Sequence, residues 1–173
     1  MLTKKNTIQN ELIFSTLDDL VPQSHLVRKL DKIDYSFIYD EVSHYYSEDG
    51  RPSIDPVILF KIILIKNIFG IKSIRQALKE IEVNLAYRWF LNIPLSKKVP
   101  SYSVISNNFN NRFNKDILKK IFKVIITKAI NKQIIPEKDL KFINIYYKLR
   151  KNKVTNKLSI ETDEESLYDQ TLV

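Results

Sequence analysis

From Asp55 to Gly70 the chain reads D-P-V-I-L-F-K-I-I-L-I-K-N-I-F-G, and no other stretch restricts its fold as much. Val57, Ile58, Leu59, Phe60, Ile62, Ile63, Leu64, Ile65, Ile68 and Phe69 cover nearly the whole circumference of a helix. A helix that is apolar all round must be buried, so other elements have to surround it. Its ends are written in the sequence. Asp55 is an N-cap with Pro56 at the first helical position, and Gly70 supplies the left-handed residue that stops a helix. The run from Val57 to Phe69 is broken by Lys61 and Lys66 and falls short of the roughly 20 apolar residues needed to cross a membrane. It reads as the central helix of a soluble, cytoplasmic protein.

The surrounding segments supply partners for that helix. Ser73 followed by Gln76 is a capping-box pattern, opening a helix through Ile74, Ala77, Leu78 and Ile81 that stops near Glu82 and Val83. Asn84 caps a further turn or two in which Trp89 and Phe90 are core anchors and Arg88 is a surface base. Upstream, the lead-in to His25 is irregular, clipped to the body by Ile13, Phe14 and Leu17. Pro22 and Ser24 start a short helix through Leu26, Val27, Leu30 and Ile33, and Ser36 caps a second one. Downstream, Ser101 or Ser103 caps a helix running to Phe113, and Asp116 to Lys132 forms a strongly amphipathic helix. At Pro136 the character changes: Leu140–Leu149 alternates as a strand would, without a ladder partner, and an acidic tail follows. The expected fold is all-α, a helical bundle with helix-turn-helix character, followed by a short orphan strand and a disordered tail. The domains are residues 1–135, helical, and residues 136–173, a remnant.

Little here resembles an enzyme. Only 2 glycines argue against phosphate-cradling loops and turn-rich β folds, and the absence of cysteine removes disulfides and thiolate metal sites. The carboxylate pairs Asp18–Asp19, Glu48–Asp49 and Glu80–Glu82 read as solvated charges or caps. His25 and His44 lack metal-ligand spacing. No catalytic residue, metal site or cofactor is expected.

Charge points elsewhere. The net charge is +8, yet every Lys and Arg lies before residue 161, where 28 bases meet 15 acids. A basic body attracts polyanions, nucleic acid first among them. Lys outnumbers Arg 22 to 6, the habit of an AT-rich genome, so charge is also compatible with a generic basic surface. Two segments could enter a groove of double-stranded DNA. Ser73–Glu82 offers Lys72, Arg75, Gln76 and Lys79. Ser101–Phe113 offers Ser101, Tyr102, Ser103, Ser106, Asn107, Asn110, Asn111 and Arg112, preceded by Lys97 and Lys98. The second is richer in the amides that pair with adenine and is preferred. The competing reading is that its asparagines coat a plain solvent face. The lysine face of Asp116–Lys132 reads as the wet side of an amphipathic helix.

The stretch from Gly50 to Ile93 resembles the N-terminal domain of bacterial insertion-sequence transposases of the DDE type. The marks are Gly50-Arg51-Pro52, Asp55-Pro56, Gly70, Ser73-Ile74-Arg75 and Tyr87-Arg88-Trp89-Phe90. Val99-Pro-Ser-Tyr-Ser-Val-Ile-Ser106 is similar to the family's start of the helix before the catalytic domain, with Tyr102 where histidine is common. The resemblance implies an all-helical domain that binds terminal inverted repeats. It also implies an RNase H-like domain beyond, whose first strand carries a metal-binding aspartate. Asn144 stands at that aspartate's place, so no catalytic residue carries over.

The expectation is therefore duplex DNA binding at terminal repeats by a truncated, catalytically incomplete transposase. Bases would be read from Ser101–Phe113 (Ser101, Tyr102, Ser103, Asn107, Asn111), with Arg51, Lys72, Arg75, Arg88, Lys97, Lys98 and Arg112 on phosphates. Alternatives are a homo-oligomer, a dominant-negative partner of a full-length transposase, or a relic without selected function. No membrane partner is expected.

Overall fold

A computed structural model describes residues 12–47, 53–113 and 115–134, together with two strands, 147–151 and 158–162. Among the described residues eight helices carry the architecture: α1 Leu17–Leu20, α2 Leu26–Asp31, α3 Phe37–Val42, α4 Pro56–Ile68, α5 Ile74–Val83, α6 Leu85–Phe90, α7 Tyr102–Asn107 and α8 Lys115–Asn131. A 3-10 turn, Ser43–Tyr45, extends α3, and a π turn, Asn108–Arg112, extends α7.

α4 is the axis of the bundle, as its composition requires. Leu59, Phe60, Ile62, Ile63, Leu64 and Ile65 are all buried, with α3 and α5 against it. Asp55 caps α4 through Oδ1, which accepts from the Val57 amide at 2.8 Å. Phe60 is the aromatic hub. Its ring lies 5.6 Å from each of Phe109, Phe113 and Phe122, so one side chain joins α4 to the π turn and to α8.

Three helices end in the same way. After α4, Gly70 takes φ +65, its amide donates to Asn67 O, and the Ile71 amide donates to Lys66 O. After α6, Asn92 and Ile93 repeat the pattern onto Trp89 and Arg88, and after α8, Gln133 and Ile134 repeat it onto Ile130 and Ala129. Each is a Schellman motif whose trailing isoleucine is buried, so the stop signal also contributes to the core.

Several expectations change. The lead-in is not clipped by Ile13 and Phe14, which are exposed, Phe14 by 99%. It is held instead by α1, a single turn with a capping box between Thr16 and Asp19. Asp18 of that turn accepts from Trp89 Nε1 at 2.9 Å and pairs with Arg28 at 2.8 Å, while the Arg28 guanidinium covers the Trp89 ring. α2 is capped by His25, whose Nδ1 accepts from the Val27 amide, rather than by Ser24. Ser36 makes no side-chain cap, and Asp34 accepts from its amide instead. The lysines on and just after α8 are partly structural: Lys120 pairs with Glu41 at 2.7 Å, Lys128 with Asp34 at 3.3 Å, and Lys132 donates to Lys32 O at 2.5 Å. These residues lash α8 to α2 and α3.

Of the expected strand Leu140–Leu149, positions 140–146 lie outside the described residues. The remainder belongs to β1, Tyr147–Lys151, which pairs antiparallel with β2, Leu158–Thr162, Tyr147 opposite Thr162. The strand therefore has a ladder partner. The rest of the expected tail, 163–173, lies outside the described residues, as does Asn144.

Candidate nucleic-acid interface

The helix expected from Ser101 to Phe113 is present in two parts, α7 and the π turn. Its core side is set by Ile105, Phe109 and Phe113, all buried. Asn108 is buried with them. Its Nδ2 donates to Val104 O at 2.8 Å, and its Oδ1 is buried without a partner among the described residues. The Phe113 amide reaches back to Asn108 O, the five-residue span of a π turn. Ser103, Asn107, Asn110 and Asn111 are exposed on the opposite side. Residues four apart are neighbours along this face. Asn111 Nδ2 donates to Asn107 Oδ1 at 2.6 Å, and Asn110 Nδ2 donates to Ser106 Oγ at 2.9 Å. Ser101, the backbone N-cap of α7, does not cap with its side chain. Its Oγ pairs instead with Ser103 Oγ at 2.9 Å.

This polar ridge is flanked by two guanidiniums, each resting on a tyrosine. Arg75, exposed on α5, sits 4.3 Å above the Tyr102 ring at the start of α7. Arg112, at the end of the π turn, sits 4.4 Å above Tyr46 and donates to Ser53 Oγ at 2.8 Å. Burial pushes the Tyr46 hydroxyl above its ordinary pKa, and the Arg112 charge pulls against that. Stacking leaves the planar fork of each arginine with free donor edges and little rotamer freedom left to lose. Tyr102 and Arg112 are both half-buried and lie on either side of the exposed asparagines.

Not every expected residue joins this surface. Arg88 is a correction: it is only 7% exposed, and its guanidinium donates to three main-chain carbonyls, Glu82 O at 3.0 Å, Pro94 O at 3.0 Å and Lys97 O at 3.1 Å. It clamps the loop after α6 onto the end of α5. Lys97 and Lys98 lie on that clamped loop and are exposed, as is Lys72 just before α5. Arg51 lies outside the described residues.

The two lysines that interrupt the apolar run of α4, Lys61 and Lys66, are both buried. Lys61 Nζ donates to Asp31 Oδ1 and to Phe90 O, each at 2.9 Å, between the Tyr35 and Phe90 rings. Lys66 is buried too, which lowers its pKa from the ordinary lysine value. Among the described residues no three His, Cys, Asp or Glu side chains gather as metal ligands would, and no described helix is long and apolar enough to cross a membrane.

A family model described as Transposase domain (DUF772) matches residues 15–111, more than half of the chain. No curated protein and no solved structure matches it.

Proposed function

The chain belongs to the Transposase domain (DUF772) family, and from that premise we propose that it is a duplex DNA-binding protein acting at the terminal inverted repeats of an insertion sequence. A transposition-related role follows from the family. The finer reading rests on one observation: a ridge of exposed amides and hydroxyls flanked by two tyrosine-stacked arginines. A helix with its side chains is ~10–12 Å across, which the ~12 Å wide major groove of B-DNA admits. The ridge would enter the groove with Arg75 and Arg112 on backbone phosphates, and Lys72, Lys97 and Lys98 would add charge nearby. Residues 1–135 are the binding unit in this reading.

The reading includes no strand cleavage. Asn144, standing where the resembling transposases carry an aspartate, has a neutral amide and lacks the carboxylate charge that metal-dependent strand cleavage gathers around its cations.

The test is fluorescence anisotropy with duplexes taken from the DNA on either side of the gene, set against scrambled duplexes, over a series of salt concentrations. Tighter binding to the flanking duplexes supports the proposal. Arg75→Ala and Arg112→Ala should each weaken binding across sequences and lower the salt slope by about one. Equal affinity for scrambled DNA, with slopes unchanged in both variants, would overturn it.

A further inference from the structure

We propose that Asn107 and Asn111 act as a single two-residue reader of adenine, an inference that rests on the major-groove reading above. A lone asparagine reads adenine by donating to N7 and accepting from the N6 amino group. Here the two amides are already bonded to each other at 2.6 Å, so neither is free to make that bidentate contact with its full complement of atoms. The pair still retains what adenine requires. The bond between them uses one N–H of Asn111 and one lone pair of Asn107 Oδ1. Asn107 Nδ2 keeps both of its hydrogens, and Asn111 Oδ1 keeps both of its lone pairs.

The pair therefore presents one donor and one acceptor on adjacent side chains, matching N7 and N6 of one adenine. If both amides are turned over, the residues exchange roles and the same inventory remains, so the argument does not depend on which nitrogen and oxygen are assigned. Guanine fits badly, because its O6 and N7 are both acceptors and Asn111 Oδ1 would face O6.

The reader is both accessible and preorganised. Both residues are exposed. Asn107 ends α7 and Asn111 lies in the π turn, four residues apart and so neighbours on one face. On the opposite side the buried Asn108, bonded to Val104 O at 2.8 Å, and the rings of Phe109 and Phe113 fix the rotation of the ridge. Mutual hydrogen bonding removes rotamer freedom from both amides before DNA arrives, which lowers the entropic cost of contact.

The experiment begins by selecting preferred duplexes from a pool of random 20-base-pair DNA with the full 173-residue chain. The preferred duplex is then remade with 7-deazaadenine, which lacks the N7 acceptor, at each adenine in turn. At one position the replacement should weaken binding to the parent chain by roughly tenfold to a hundredfold. At that position it should cost nothing further in the double variant Asn107→Ala/Asn111→Ala, which should accept guanine there as well as adenine. Each single variant leaves one asparagine with its whole amide free, so it should bind the adenine duplex more weakly than the parent and keep part of the preference. Circular dichroism confirms that these surface variants keep the parent's helix content.

A sequence preference that survives the double variant unchanged would overturn the paired reader and leave DNA binding intact. Binding with no preference would also overturn it. Failure to bind any duplex would overturn the proposed function as well, so the two failures are distinguishable.

Discussion

Replacing Arg88 by methionine keeps the apolar stem and removes every donor, which separates two explanations for a conspicuous arginine. In the structure the guanidinium satisfies three carbonyls at 3.0–3.1 Å and is 7% exposed. Hydrogen bonds to a charged group contribute about 1.5–3 kcal/mol each. Pro94 and Lys97 are exposed residues, so water can reach their carbonyls once the clamp is gone, and the full sum will not be lost. A net loss of about 2–4 kcal/mol is expected. That is a large part of a typical stability of ~5–15 kcal/mol. At about 3 °C per kcal/mol the melting temperature should fall by about 6–12 °C. Trp89, the one tryptophan, adjoins the site, so urea unfolding followed by its fluorescence gives the free energy directly, and duplex affinity is measured on the same samples below the transition. A variant that melts within a degree of the parent but loses DNA affinity would refute the structural assignment and make Arg88 a phosphate contact.

The Schellman ends predict an order of stabilities. Gly70→Ala should cost about 1–2 kcal/mol from left-handed strain alone, because a Cβ there meets nothing within 4 Å. Gln133→Gly should gain up to about 1 kcal/mol, and Asn92→Gly less, since asparagine tolerates positive φ better than glutamine; thermal melts that reverse this order would undo the account. Asp34 is the acid-sensitive joint. Its carboxylate is held down to about 2, first by Ser36 and then by Lys128, below the ordinary 3.8. A folded pKa below the unfolded one means stability that is present above about pH 4 and lost as pH falls towards 2. The parent's unfolding midpoint should therefore drop through that window more steeply than that of Asp34→Asn, and parallel acid limbs would contradict the assignment.

Much of the helical frame was legible because its signals are local. Asp55-Pro56 and Gly70 mark the ends of α4, Ser73 and Asn84 cap as their side chains suggest, and the stop of α5 near Val83 follows from Asn84. What could not be read depends on contacts far along the chain. Nothing around Arg88 shows that the carbonyls of Glu82, Pro94 and Lys97 converge on it, since that needs the α6 turn and the following loop in place. The stacking of Arg75 on Tyr102 joins separate helices, and Arg112 on Tyr46 joins segments 66 positions apart. Some local signals were present but unread. Thr16 and Asp19 have capping-box spacing, and Asn92-Ile93 and Gln133-Ile134 repeat the pattern of Gly70-Ile71, with asparagine and glutamine where glycine would have been noticed.

Phe60 has an evolutionary corollary. One ring of the central helix fixes Phe109 and Phe113, and with them the rotation of the whole polar ridge, while Ser103, Asn107, Asn110 and Asn111 lie outside the packing. Mount and lettering are thus separable. Substitution at those four positions leaves the core undisturbed, so in the proposed DNA-reading role a lineage with this frame can change the sequence it prefers one residue at a time and lose little stability at any step.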